Sequence, residues 1–232
     1  MNNRLVLLRH GQSEWNKEDR FTGWKDVRLS SVGVEESQKA GKKLKKTGWY
    51  FDQGFTSKLS RSIETLWRIL SEMDQMYLPL TSAWQLNERH YGGLTGLNKK
   101  QTVAKVGAEQ VHIWRRSYDV RPPKCGEKLF KEISGDPRYA GLKKKDIPWC
   151  ESLEDTCKRV IPYYINEIEP LLKAGKNVII AAHGNSLRGL IKYLENIDDE
   201  SITKLEIPTG QPLVYEVSKV RGKLKINKKY YL

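Results

Sequence analysis

Apolar and polar positions alternate along the chain in two rhythms. Short wholly apolar runs read as buried strands, and longer stretches with apolar residues three or four apart read as helices. Leu5–Leu8 is such a run and stops abruptly at Arg9-His10-Gly11. A helix is expected over Ser31–Lys46, with Val34, Ala40, Gly41 and Leu44 on its apolar face, followed by a strand over Phe51–Thr56. The clearest helical period covers Ser57–Met73, where Leu59, Ile63, Leu66, Leu70 and Met73 fall on one stripe. A short strand is expected near Tyr77–Leu80. Residues 152–172 read as a helix that opens on a capping pattern, Ser152-x-x-Asp155, and is kinked or divided at Pro162. Asn177–Ala182 is a second fully apolar strand, and His183-Gly184-Asn185-Ser186 opens another helix. Leu213–Val217 reads as a late, edge-side strand.

Strands alternating with helices predict an α/β fold: a three-layer sandwich with a mainly parallel central sheet and helices on both faces. The 232 residues fit one domain. Residues 117–150, rich in Pro and Gly and without a period, read as a long surface excursion. No apolar run approaches the roughly 18 residues a membrane span requires, and the Leu5–Leu8 run is too short for a signal peptide, with no small-residue cleavage site after it. Cys125, Cys150 and Cys157 form no C-x-x-C pair and read as reduced thiols, so a cytoplasmic location is expected.

The formal net charge is +13. Such an excess points to anionic partners without choosing among nucleic acid, acidic membranes and small phosphorylated molecules. Most of it sits in lysine runs (Lys42–Lys46, Lys143–Lys145 and Lys223–Lys229) that read as solvated faces.

Candidate chemistry lies where strands end. Two of them, Leu5–Leu8 and Asn177–Ala182, finish in a histidine followed by glycine: His10-Gly11 and His183-Gly184. Ligands of open α/β sheets bind at the carboxyl ends of strands. Either histidine alone could be a core residue, but the shared context argues for one cleft. Arg9 stands beside His10, and Arg61 near the start of the Ser57 helix, where the positive helix end adds to its pull on an anion. Arg115-Arg116 follows Trp114, and Glu88 lies in Leu86-Asn87-Glu88-Arg89-His90-Tyr91. Arginine forks bind phosphate oxygens, neutral imidazole is a nucleophile, and a carboxylate can shuttle a proton, so the set is suited to phosphoryl transfer. The sequence contains neither a Walker-type glycine loop nor metal-ligand spacing, so no metal is expected.

These motifs resemble the histidine phosphatase superfamily, and within it the cofactor-dependent phosphoglycerate mutases. The resemblance rests on Leu8-Arg9-His10-Gly11-Gln12-Ser13-Glu14-Trp15-Asn16, Phe21-Thr22-Gly23-Trp24, Thr56-Ser57-x-Leu59-x-Arg61, Leu86 to Gly92, Gly96-Leu97-Asn98-Lys99, Trp114-Arg115-Arg116 and Ala181 to Gly189, and it spans nearly the whole chain. It implies interconversion of 3-phosphoglycerate and 2-phosphoglycerate in glycolysis and gluconeogenesis, primed by 2,3-bisphosphoglycerate. His10 would then be the nucleophile and Glu88 the acid and base. Arg9, Arg61 and His183 would hold the phosphoryl group, assisted by Asn16 and by the backbone at Gly184. Lys99, Tyr91, Arg115 and Arg116 would grip the substrate's carboxylate and its non-reacting phosphate, while Ser13, Thr22, Gly23 and Asn185 line the pocket. Ser13 and Thr22-Gly23 look like the mutase rather than the synthase pattern. The resemblance further implies a homo-oligomer with small phosphorylated substrates, and no nucleic-acid or membrane partner. Phosphatase or bisphosphoglycerate phosphatase or synthase activity on the same scaffold is the alternative.

Overall fold

The computed structural model describes residues 3–232, which form an α/β fold with helices on both faces of a six-stranded sheet. The strands are β1 (Asn3–Arg9), β2 (Gln53–Thr56), β3 (Leu80–Ser82), β4 (Val178–Ala182), β5 (Leu213–Val220) and β6 (Lys223–Tyr231). Their order is β3-β2-β4-β1-β5-β6, parallel from β3 to β1, with β5 antiparallel to both β1 and β6. The helices are α1 (Glu14–Lys17), α2 (Ser31–Lys46), α3 (Ser60–Glu72), α4 (Lys99–Val106), α5 (Ala108–Arg116), α6 (Glu127–Ser134), α7 (Leu153–Tyr163), α8 (Glu169–Lys173), α9 (Gly184–Glu195) and α10 (Asp199–Lys204).

Strand periodicity divides the core in two. Leu5 and Leu7 of β1, Val178, Ile180 and Ala182 of β4, and Leu213 and Tyr215 of β5 face α7, α8 and α9, meeting Val160, Leu172, Leu187 and Leu190. Val6, Leu8, Ile179, Ala181 and Val214 face the other way, onto Ala40 and Leu44 of α2 and Leu66, Ile69 and Leu70 of α3. Each fully buried Val, Leu or Ile among them contributes about 1.5–3 kcal/mol.

Several expectations shift. The strand read near Tyr77–Leu80 is instead β3, three residues later; Tyr77 lies outside it and is 71% exposed. Pro79 has no N–H for a ladder, yet its carbonyl accepts from Gly54, so pairing starts where the proline ends. Residues 57–59 are not helical, because Asn87 Oδ1 accepts from Lys58 N, Ser57 Oγ from Leu59 N and Asp26 from Ser60 N, holding an extended entry to α3. The kink expected at Pro162 is spread over a π turn at Tyr164–Ile168 between α7 and α8. β5 is not at the edge; β6 pairs outside it, and the lysines read as a solvated run are largely the exposed residues of that edge strand. Edge lysines of this kind discourage pairing with another chain.

The 117–150 excursion is structured rather than a bare loop. It contains α6, and its Ile133, Tyr139 and Ile147 form a small core with Trp24. Lys25 pairs with Glu132, and Asp26 with Arg138 at 2.7 Å, so the excursion grips the 24–26 turn.

The turn after β1 is the tightest backbone packing near the strand ends. A Cβ on Gly11 would overlap the Gly33 carbonyl, and a Cβ on Gly33 would overlap the Gln12 carbonyl. Gly33→Ala is therefore expected to destabilise the fold by about 2 kcal/mol and to lower Tm by roughly 4–8 °C. A thermal melt checks this, and an unchanged Tm would contradict the contact.

Candidate active site

The register of the sheet sets the first distance. Arg9 of β1 pairs with Ala182 of β4, so the next residues, His10 and His183, leave adjacent parallel strands side by side. His10 N donates to Ala182 O at 3.0 Å, and the two imidazoles meet edge to face with centroids 4.9 Å apart. Both rings are buried. His10 Nδ1 lies 2.6 Å from Gly11 O, which can only accept, so Nδ1 carries the proton and the Nε2 lone pair points away from it. Arg61 Nε reaches that Nε2 at 3.3 Å.

Arg61 is 1% exposed, and carbonyls hold the rest of its guanidinium: Lys25 O at 3.0 Å and Gly23 O at 2.9 Å. Burial pulls its pKa down to about 10, so it stays charged at neutral pH. The same burial, with Arg61 and Arg9 adding to it, drives the His10 pKa well below 6.5. His183 is lowered too, by burial and then by Arg61; its Nε2 lies 2.8 Å from Ser57 Oγ. His10 is thus a neutral imidazole presented to a cleft lined by cations, the state a phosphoryl-accepting nucleophile needs.

Glu88 enters from the loop after β3. Its Oε1 accepts from Arg89 N at 2.7 Å, Asn185 N at 3.2 Å and Asn185 Nδ2 at 2.9 Å. Gly184 lies beside Glu88 Oε2 and the Arg9 guanidinium, both within van der Waals reach of a Cβ at this position. Arg9 Nη1 donates to Ile207 O at 2.9 Å, while its buried Nε has no hydrogen-bond partner. Asn185 Nδ2 also reaches Tyr91 Oη at 3.1 Å. Burial alone would raise the Tyr91 phenol, but the Arg89 cation, 4.7 Å from the ring centroid, and the Asn185 bond outweigh it and lower the pKa.

These groups open into a cleft of about 140 Å³. Arg9, His10, Asn16, Thr22, Arg61, Glu88, Tyr91, Lys99, Arg115, Arg116, Gly184 and Asn185, all anticipated from sequence, line it. Three anticipated residues stand behind the wall. Ser13 is buried as the N-cap of α1, exchanging hydrogen bonds with Asn16. Gly23, at φ +58°, contributes the carbonyl that holds Arg61. His183 backs His10.

Arg20, Phe21, Arg188 and Glu206 line the cleft without having been anticipated. Arg188 was accessible to sequence reasoning, because it follows Asn185 by three on a helix and so shares its face; its Nη1 donates to Asn185 Oδ1 at 3.1 Å. Glu206, which pairs with Arg116 and with Arg188, gave no sequence signal. Cations dominate: Arg9, Arg20, Arg61, Lys99, Arg115, Arg116 and Arg188 face only Glu88 and Glu206. Among the described residues no His/Cys/Asp/Glu cluster could hold a metal, and no helix is long and apolar enough to cross a membrane.

A buried neutral imidazole, a set of cations and the strand-end geometry suit phosphoryl transfer. Residues 5–134 match the histidine phosphatase superfamily (branch 1), and the chain belongs to that family. Among solved structures, the mycobacterial glucosyl-3-phosphoglycerate phosphatase in complex with VO3 is similar, at 23% identity and TM-score 0.68 over 97% of this chain and 98% of that one. Phosphoglycerate mutase from Bacillus anthracis is similar at 24% identity and TM-score 0.67, over 97% and 92%. A putative alpha-ribazole-5'-P phosphatase from Escherichia coli matches at 19% identity and TM-score 0.70, over 98% and 95%. At these identities the likeness is one of fold.

The histidine pKa shifts give a direct expectation. Burial also lowers His90, to about 4. The NMR ring signals of His10, His90 and His183 should not titrate between about pH 5.5 and 8. An unfolded chain takes up these protons near pH 6.5 while the folded chain does not, so global stability should fall as pH drops below about 6.5. A His10 signal titrating near 6.5 would refute the buried neutral imidazole.

Proposed function

We propose that the protein interconverts 3-phosphoglycerate and 2-phosphoglycerate through a phosphohistidine on His10, with 2,3-bisphosphoglycerate as the priming donor. The observation that carries this reading is the distribution of charge. The cations near His10, Arg9 and Arg61, suffice for one phosphoryl group. Lys99, Arg115 and Arg116 also line the cleft, Lys99 paired with Asp19 and Arg116 with Glu206, and these further cations suit a second anionic group on the substrate. A short acid carrying a phosphate fits both the charge and a volume of about 140 Å³.

In this reading His10 Nε2 attacks the phosphorus in line, and Arg9 and Arg61 stabilise the charge spread over the phosphoryl oxygens. Glu88 gives a proton to the departing substrate oxygen and takes one back when the phosphoryl group is returned. Bound 2,3-bisphosphoglycerate supplies the phosphoryl group that loads His10. Its second phosphate and carboxylate would rest on Lys99, Arg115 and Arg116, with the partnerless Arg9 Nε offered to the transferring group. The second reading is a phosphomonoesterase, favoured by the phosphatases among the similar folds. We propose a homo-oligomer on two grounds, the outer position of β3 in the sheet and the exposed apolar side chains of Trp67, Met76 and Tyr77.

Turnover of 3-phosphoglycerate, with and without 2,3-bisphosphoglycerate, decides between the readings when 2-phosphoglycerate and free phosphate are followed together. Donor-dependent 2-phosphoglycerate far in excess of phosphate is expected; dominant phosphate release would make the protein a phosphatase. His10→Ala should abolish either activity, and residual turnover within about tenfold of the parent would remove His10 as nucleophile. Arg116→Ala should raise KM for phosphoglycerate about 10–100-fold, the size of one lost charge-assisted bond, while p-nitrophenyl phosphate, which lacks the second anion, changes little. Equal effects on both substrates would place Arg116 on the transferring phosphate instead.

A further inference from the structure

The loop that carries Glu88 has no regular secondary structure at residues 87–91, yet most of it is buried. Its backbone polar groups therefore need partners from elsewhere. One side chain caps two carbonyls of this loop and a third just before it. Arg159, on α7, donates from Nη1 to Gln85 O at 2.6 Å and Asn87 O at 3.0 Å, and from Nη2 to Glu88 O at 3.1 Å. The same guanidinium grips Glu151 through Nε at 2.6 Å and Nη2 at 2.9 Å. Glu151 completes the frame, since its Oε2 accepts from His90 N at 2.7 Å and its own N–H donates to His90 O at 2.8 Å. Arg159 and Glu151 are only 8% and 5% exposed, and neither lines the catalytic cleft.

We propose that the buried Arg159–Glu151 pair is the positioning device for Glu88: it fixes the backbone of residues 85–90 so that the carboxylate stays directed at the cleft. This rests on the reading of Glu88 as the acid and base. Glu88 is then held from two sides. Asn185, at the start of α9, binds Oε1, and Arg159 binds the carbonyl of the same residue. A guanidinium is the group for this task, because its planar fork serves a carboxylate and three carbonyls at once, whereas an ammonium is a point donor. Misplacing a reacting group by about 1 Å can cost about 100-fold in rate, so the pair should act on kcat without touching substrate.

Arg159→Lys keeps a cation against Glu151 and so favours retention of the fold, but it reaches fewer carbonyls. We expect kcat to fall about 10–100-fold, with KM within about threefold and the thermal melt little changed. Two further measurements separate positioning from general structural support. In a Glu88→Gln background the Arg159→Lys change should cost little more, because its effect acts through Glu88. In Arg159→Ala, millimolar guanidinium ion should restore part of the lost kcat; Arg159 also lines an outer groove of about 380 Å³ through which the ion can enter. The inference is overturned if Arg159→Lys leaves kcat within about twofold, if the two losses multiply, or if folded Arg159→Ala gains nothing from guanidinium. If Glu88→Gln alone leaves turnover intact, the acid–base reading fails first and the positioning role falls with it.

Discussion

A guanidinium buried without a carboxylate partner is the constraint around which this molecule is arranged. In the proposed role Arg61 would have to stay charged to stabilise a phosphoryl group, and no carboxylate among the described residues is bonded to it. Taking a cation out of water costs several kcal/mol unless other dipoles replace the water. Here they are the carbonyls of Gly23 and Lys25. Those carbonyls belong to a turn with no secondary structure of its own, so the turn must itself be held. Trp24 is packed against Ile133, Tyr139 and Ile147, while Glu132 and Arg138 of the excursion take Lys25 and Asp26. Asp26 in turn accepts from Ser60 N and Oγ, just before Arg61. The excursion is thus the outer wall of a chain of contacts that ends on the active-site arginine.

The same economy governs His10, the proposed nucleophile. Two histidines become neighbours because two parallel strands are in register and each ends one residue earlier. Sheet hydrogen bonding fixes that geometry more rigidly than a loop could. Burial then keeps His10 unprotonated, and the nearby arginines reinforce the effect.

Legibility from sequence followed the strength of local patterns. β1, β4, α2 and the start of α9 were readable because their side chains face one environment throughout. β3 was misplaced by three residues: it is a three-residue edge strand with largely exposed side chains, so no apolar signal marks it. β6 was hidden by its lysines, although Leu224 and Ile226, half-buried between exposed neighbours, carry the alternation of an edge strand. The helix α6 was masked by Gly126 and Gly135 at its ends, and by the fact that its Leu129, Phe130 and Ile133 pack against Trp24, a residue more than a hundred positions away. In the site, the residues of the strand-end motifs were anticipated, and so were the cations Lys99, Arg115 and Arg116, but Arg20 and Arg188 were not. Ser13 was read as pocket lining, although Ser-x-x-Asn ahead of a helical turn is a capping pattern, and capping is its role. Glu206 and the supporting Arg159 could not be read, because their meaning comes from contacts across the fold and not from neighbours in sequence.

In the proposed reaction isomerisation and hydrolysis would share the attack by His10, so the difference between them would arise after His10 is loaded. A phosphohistidine there would partition between water and a second acceptor oxygen. Transfer wins only if the acceptor stays bound longer than water needs to attack. That residence time would depend on contacts to the part of the molecule that does not react, for which Lys99, Arg115 and Arg116 on α4 and α5 are the proposed groups. The α5 arginines are themselves held: Arg89 Nη2 donates to Arg115 O, and Arg116 pairs with Glu206. In the proposed reaction the balance between isomerisation and hydrolysis would therefore be set by two short helices and their supports as much as by the histidines.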